Sequence, residues 1–171
     1  MQLNPYGEDP VRFVVELTND PPSTAEELAR RCREAGMAEQ PFSEADLADV
    51  LEFLGRWAGV VDAESDARRV ALLNALLADS TAHPRLTDHA GGGWHIHYRD
   101  DGLGPAGVLK SAACIGTALH LTGRGMRRLG RCALAECGRA FADFTRAGRQ
   151  RYCSHGCANR DAVRRHRARR G

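Results

Sequence analysis

Lysine is almost missing from this chain of 171 residues: Lys110 stands alone among 24 basic side chains, the rest being arginine. Genome composition produces such a bias too, so arginine content alone assigns no function. No stretch approaches the ~20 consecutive apolar residues that a membrane helix needs. The first residues, MQLNPYGEDPVRF, have neither a positive leader nor an apolar core, so no signal peptide is expected. A cytoplasmic protein is expected, and structural disulfides are not expected in that compartment. Six cysteines therefore need another account. No G-x-S-x-G, Walker loop or H-E-x-x-H occurs. Internal repeats and long low-complexity segments are absent too. What remains is a globular composition, 43% hydrophobic and 27% charged, long enough for one domain plus a small module.

The small net charge of +2 hides an asymmetry. From Arg124 to Gly171 there are 14 arginines against Glu136, Asp143 and Asp161, a net +11. Residues 1–123 carry 10 basic and 19 acidic groups, a net −9. Charge divided this cleanly along a chain argues for two parts with different partners. A basic tail meets a polyanion, nucleic acid first and an anionic membrane surface second.

Several elements are legible by period and capping. Residues 11–18, VRFVVELT, are β-branched and aromatic with some alternation, and are expected as a strand. Ser23 or Thr24, with Glu26 or Glu27 three residues on, opens a helix to about Met37. Ser43-x-x-Asp46 opens a second, with Leu47, Val50, Leu51, Leu54 and Trp57 as its stripe. A third covers about 64–80, with Val70, Leu73, Leu76 and Leu77 inward. In WHIHYR, Trp94, Ile96 and Tyr98 share one face of a hairpin strand and His95 and His97 the other. Pro105 suits the first turn of a fourth helix, 105–121, with Val108, Leu109, Ile115, Leu119 and Leu121 in its core and Gly123 as its stop.

Residues 1–123 can bury a modest core. The last 48 residues cannot, since their large apolar side chains are few, chiefly Leu129, Leu134, Phe141, Phe144, Tyr152 and Val163. That is too little against an ordering entropy of about 1–2 kcal/mol per residue. The cysteines supply an alternative. Cys132-x4-Cys137, fifteen residues, then Cys153-x3-Cys157 gives two close pairs that can present four thiolates to one tetrahedral ion. Between the pairs, RAFADF and RQRYC are expected as two strands joined at Arg146-Ala147-Gly148, and the second pair opens a helix. Knuckle, hairpin and ligand-bearing helix is a treble-clef-like layout. Zinc fits the thiolates, with iron second. The competing readings are four ordinary thiols, a redox disulfide pair, or His155 in place of one cysteine. Cys32 and Cys114 fall on helices and read as small buried hydrophobes. His166 is expected to pack against the finger with Ala158, Ala162 and Val163.

Residues 131–170, RCALAECGRAFADFTRAGRQRYCSHGCANRDAVRRHRARR, resemble the CGNR-type zinc finger of bacterial transcriptional regulators. The resemblance rests on Phe141, Asp143, Tyr152, Cys153, Ser154, Cys157, Asn159, Arg160, His166 and Arg167. The chain departs from that pattern at Ala158, where the name-giving glycine would stand. The N-terminal part is similar to the domain that precedes such fingers, a stress-induced regulator domain called ABATE. The resemblance implies an α+β protein: a mostly helical ABATE-like regulatory and dimerisation domain, 1–123, with a small antiparallel sheet. A treble-clef-like four-cysteine zinc finger with a basic C-terminal helix follows, 124–171. It implies one structural Zn2+ on Cys132, Cys137, Cys153 and Cys157, and a cytoplasmic, nucleoid-associated regulator of transcription.

A zinc ion on four thiolates carries a net −2, leaving the tail near +9. Six arginines between 160 and 170 repel one another on a helix unless a polyanion neutralises them. Double-stranded DNA is the expected partner. Arg146, Arg149, Arg151, Asn159, Arg160, Arg164, Arg165, Arg167, Arg169 and Arg170 are its candidate contacts; most should grip phosphate, with Arg160 and Arg164 reading bases. One finger offers little contact, so a homodimer through the N-terminal helices is expected. A small-molecule effector is expected on the first domain, with His95 and His97 at its rim. A catalytic role for those histidines with Asp100 and Asp101 is disfavoured, and no enzyme is expected. The alternative is a finger that binds RNA or protein, since fold does not settle function.

Overall fold

The structure is a computed structural model that describes residues 7–37, 40–88 and 94–170. Along the chain come α1 (Glu8–Asn19), α2 (Ala25–Glu34), α3 (Glu44–Val61), α4 (Asp66–Ser80), β1 (Arg85–Thr87), β2 (His95–His97), α5 (Pro105–Arg124), β3 (Leu129–Arg131), β4 (Ala140–Ala142) and α6 (His155–Ala168). The α+β class and the small antiparallel sheets are as the sequence implies.

The segment expected as a strand, 11–18, lies inside helix α1. Val11, Val14 and Leu17 recur every three residues, and with Phe13 they form one buried stripe. Glu8 and Asp9 in the first turn suit the positive end of the helix dipole, and Pro10 lies where helical N–H groups have no intrahelical partner. Burial of that stripe outweighs the strand preference of its β-branched residues.

Capping decides the next three starts. Thr24 accepts from the Glu27 N–H at 3.1 Å, while the Glu27 carboxylate accepts from the Ser23 N–H and hydroxyl at 2.9 Å. Helix α2 closes at Glu34, three residues before Met37. Ser43 and Asp46 form the reciprocal capping box of α3. Its buried stripe takes in Phe53 and leaves Leu51 38% exposed. Ser65 caps α4, in which Leu73 and Leu76 are buried, Leu77 is half-buried and Val70 is exposed.

Arg69 takes the inward place expected for Val70, being 7% exposed. Its guanidinium donates to the carbonyls of Val60, Val61 and Ala63 at 3.0, 3.1 and 3.4 Å, and to that of Met126. A cation thus satisfies the open C-terminal carbonyls of α3. The same cation ties α3 to the turn after α5. Burial holds its pKa below the usual arginine value, and the Asp66 carboxylate offsets this only in part.

Helix α5 touches α1, α3 and α4. It runs to Arg124, beyond the expected stop at Gly123; Gly125, with φ 115°, ends it in a conformation that favours glycine. Leu109 and Leu121 are buried, and Val108, Ile115 and Leu119 are half-buried. Trp57, fully buried, donates its indole N–H to Thr117 at 3.0 Å. Where α1 begins, a Cβ on Gly116 would meet Pro10 at 2.8 Å and one on Gly7 would meet the Gly116 carbonyl at 2.4 Å. Both glycines are required by that crossing. Cys32 and Cys114 are buried thiols whose pKa values burial pushes up to about 12. As expected, they are core atoms rather than reagents.

Strands β1 and β2 pair antiparallel, Leu86 opposite Ile96; the connecting residues 89–93 lie outside the described residues. Leu86, Trp94 and Ile96 stand 72%, 76% and 46% exposed, so this hairpin buries neither face fully.

The second hairpin departs from expectation. The partner of β4 is 129–131, not RQRYC, with Leu129 opposite Ala142. Leu129, Ala140 and Ala142 belong to the core of the helical part. Asn19 at the end of α1 pairs with Ala140 as a strand would, accepting from its N–H at 2.7 Å and donating to its carbonyl at 2.9 Å. Arg131 forms a two-pronged pair with Asp62 at 2.7 and 2.9 Å. Phe144, one of the basic segment's few large apolar side chains, packs on the helical core, 4.8 Å from His120 and under the Arg12 guanidinium at 3.9 Å.

Asp143 explains why RQRYC forms no strand. Its buried carboxylate accepts from the Thr145 N–H and hydroxyl at 2.8 and 2.6 Å and from the Gln150 N–H at 3.0 Å. These bonds gather residues 145–150 into a compact loop. Burial pushes the Asp143 pKa up, but those donors and Arg128 outweigh it and the net direction is down.

Two outcomes follow for stability. Arg69→Leu should lower the unfolding free energy by about 2–4 kcal/mol, because buried carbonyls lose their donor; urea titration measures this. For Asp143 the folded pKa lies below 3.8. Its contribution is fully present above the unfolded value and is lost as pH falls through the folded one. The stability gap between wild type and Asp143→Asn, about 2 kcal/mol at pH 7, should therefore shrink below about pH 4, as read by unfolding at stepped pH.

Candidate metal centre

The chain between Arg131 and Ala142 makes a knuckle. The Cys132 N–H donates to the Arg139 carbonyl at 2.8 Å and the Cys137 N–H to the Leu134 carbonyl at 2.9 Å. A second knuckle forms where the Ala133 N–H donates to the Arg151 carbonyl at 2.7 Å, bringing 151–153 alongside. Ser154 then caps α6, accepting from the Cys157 N–H at 3.2 Å, which sets Cys157 in the first turn. Ala158 is an ordinary helical residue whose N–H bonds the Ser154 carbonyl at 3.1 Å. No positive φ is needed there, so the departure from glycine costs the helix nothing.

These turns bring the four thiols together. The sulfurs of Cys132, Cys137, Cys153 and Cys157 lie within 4.8 Å of one another, and all are free thiols. Cys137 to Cys153 is 3.6 Å, Cys153 to Cys157 3.6 Å and Cys157 to Cys137 3.7 Å. A tetrahedron with ~2.3 Å zinc–sulfur bonds has edges of about 3.8 Å. The donor set therefore fits a tetrahedral thiolate ion in both chemistry and size. His155 takes no place among these sulfurs, so the set is four cysteines.

The sulfurs are not equivalent. The Ser154 side chain and the Arg160 guanidinium, which donates to Cys157 Sγ at 3.1 Å, pull the Cys157 pKa down to about 6. Burial and the neighbouring thiols push Cys153 up. Ionising one sulfur opposes ionising the next, and only a cation in their midst stabilises all four as thiolates.

A small cluster surrounds the centre: Leu134, 1% exposed, with Cys132, Cys157 and the half-buried Tyr152. The stripe Ala158, Ala162, Val163 and His166 does not pack as expected. Val163 is 50% exposed, and Ala162 and His166 are exposed. Helix α6 is docked by its first two turns, through Cys157 and Asp161. The Tyr152 hydroxyl donates to Asp161 at 2.6 Å, and Arg164 and Arg165 bracket the same carboxylate at 2.6 and 3.0 Å. Tyr152, Arg164 and Arg165 hold the Asp161 carboxyl below its usual range. Asp161 has no role among the sequence expectations. Its signal was available: it is the sole acid within an arginine-rich helix, and it anchors that helix.

The candidate contacts divide into two groups. Arg160 is engaged with Cys157, Arg164 with Asp161 and Glu136, and Arg165 with Asp161. Arg146, Arg149 and Arg151 on the loop, Asn159 and Arg167 on α6, and Arg169 and Arg170 just past its end are exposed. His95 and His97 face each other on β2, Nε2 to Nε2 at 3.1 Å and half-buried. Two shallow concavities lie elsewhere, one at the α3–α4 turn and one on α6. No helix among the described residues is long and apolar enough to cross a membrane.

Residues 128–170 match the family described as CGNR zinc finger. Residues 12–148 match the ABATE family, described as "Putative stress-induced transcription regulator". No curated protein matches the chain. The two matched regions overlap at 128–148, the stretch whose hairpin packs into the helical core. Finger family and four-sulfur cluster together support one structural zinc ion. The chain belongs to the ABATE family and carries a CGNR zinc finger over residues 128–170.

Proposed function

We propose that this protein is a zinc-dependent regulator of transcription that binds double-stranded DNA through its finger. Cys132, Cys137, Cys153 and Cys157 ligate the ion, and the clamped α6 and the 145–151 loop present arginines to the duplex. The observation that carries this is the set of exposed arginines, Arg146, Arg149, Arg151, Arg167, Arg169 and Arg170, none with a side-chain partner among the described residues. Their mutual repulsion is relieved by phosphate. RNA is disfavoured because Phe141 is buried, Phe144 is packed on the helical core and Tyr152 beside the sulfurs, leaving no aromatic stacking platform among them.

In this reading the chain catalyses nothing and works in the cytoplasm at the nucleoid. Residues 1–123 regulate and dimerise, and 124–171 read DNA. A twofold-symmetric pair of fingers would meet two half-sites. A small-molecule effector acts on the helical part, with His95 and His97 at its rim.

Two measurements test the core of this reading. In a DNA-shift titration, log affinity should fall with log salt at a slope of about −5, as expected for five or six neutralised phosphates. Chelation should abolish the shift; binding that survives complete zinc removal would refute zinc dependence. Chelation should also act locally. Amide protection should vanish at 132–137 and 152–161 yet persist in α1, α3, α5 and β3–β4, whose anchors are Asn19, Arg69 and Asp62 rather than the ion. Hydrogen exchange followed by mass spectrometry resolves those segments.

A further inference from the structure

Six side chains line the concavity on α6: Glu136, Asn159, Arg160, Val163, Arg164 and Arg167. Arg160 is bonded to the Cys157 sulfur and Arg164 bridges Asp161 and Glu136, so both are committed to the fold. What remains is Asn159, Val163 and Arg167. They are spaced by four residues along one side of the helix, and all three are exposed. The Asn159 and Arg167 side chains have no hydrogen-bond or ion-pair partner among the described residues.

We propose that Asn159, Val163 and Arg167 form the base-reading stripe of the finger, and that Arg160 and Arg164 position the helix rather than read sequence. This rests on the DNA-binding reading above. The chemistry separates the concavity from the 145–151 loop. Loop residues Arg146, Arg149 and Arg151 offer cations, which suit phosphate. The concavity offers an amide, a methyl-bearing floor, a guanidinium and the Glu136 carboxylate at its rim. With Glu136 paired to Arg164, what the concavity adds beyond charge is an amide and a methyl group, which phosphate does not use and base edges do, so the backbone is the wrong occupant. Base edges are the right one: an asparagine amide pairs with adenine N6 and N7, a valine methyl meets the thymine methyl, and an arginine fork pairs with guanine O6 and N7.

The dimensions agree. From Asn159 to Arg167 a helix rises about 12 Å, and base pairs stack roughly every 3.4 Å. The stripe therefore spans about three to four base pairs of a major groove. Val163, 50% exposed, has its methyl groups open to such a contact. Against the sequence expectation, the readers are then the residues that the fold leaves unemployed.

The test uses the full zinc-loaded chain and a random duplex library, with bound duplexes sequenced. The proteins are wild type, Asn159→Ala, Arg167→Lys and Arg149→Ala. Lysine keeps the charge at 167 but loses the fork. Asn159→Ala and Arg167→Lys should each flatten the preference at one position, costing about tenfold in specific over non-specific affinity while non-specific affinity holds. Arg149→Ala should weaken binding to every duplex and leave the preferences intact. Zinc content confirms folding, and Asn159→Ser replaces the alanine variant if that one loses the ion. Unchanged preferences in the Asn159 and Arg167 variants, or a wild type without preferences, would overturn the stripe and leave duplex binding standing. A wild type that binds no duplex even at low salt would overturn both.

Discussion

Four thiols held within 4.8 Å are the constraint around which the C-terminal end is built. Their sulfurs cannot all carry charge in one another's presence, and they cannot all be buried usefully as neutral thiols around a core of only Leu134 and Tyr152. A divalent ion resolves both problems, since it stabilises the thiolates and supplies cohesion that so few apolar side chains cannot. Each local device serves that convergence. Ser154 starts α6 one turn before Cys157 is needed, and Tyr152 with Asp161 fixes the direction in which the helix leaves. Arg160 sits against the one sulfur that the helix itself contributes.

The ion does not hold the whole basic segment. The hairpin β3–β4 belongs structurally to the helical part, through the Leu129, Ala140 and Ala142 burial, the Asn19 amide, the Arg131–Asp62 pair and the Arg69 link to Met126. The finger is thus half grafted. Its base is fixed to α1 and α3 by ordinary packing, and its tip and α6 converge on the four sulfurs. That base gives a route of direct contacts between the helical part and the finger. The route is short, running from α3 through Asp62 and Arg131 to the knuckle that bears Cys132.

How much of this the residues alone disclosed depends on how local each determinant is. Caps are local, and Thr24 and Ser43 mark two helix starts with their partners in place, whereas the Ser65 cap of α4 emerges only in the structure. The cysteine spacing is a local pattern too, and the four converge. Failures came where tertiary burial chose between readings. The stretch 11–18 has strand residues, but its three-residue spacing is the stripe that α5 and α3 cover. Arg69 displaced Val70 because open carbonyls needed a donor more than the core needed a methyl. RQRYC lost its strand to Asp143, whose buried carboxylate claims the Thr145 and Gln150 amides. Nothing in a one-dimensional pattern says which acid will be buried.

Among the arginines, total charge and outward charge diverge. Charge alone does not rank the segment's arginines, among which Arg160 and Arg164 were expected to read bases. Folding engages some of them: Arg160 on a sulfur, Arg164 and Arg165 on Asp161, Arg128 on the loop, Arg131 on Asp62. Each such pair lowers the repulsion that a bare run of guanidinium groups would suffer, and each removes one group from the outward set. What is left outward is smaller and more ordered than the composition suggests. Cations lie on the loop and at the far end of α6, and a mixed amide, methyl and guanidinium stripe lies between. A basic segment becomes able to discriminate when its charges are partly consumed internally, because an excess of unpaired charge attracts any polyanion alike.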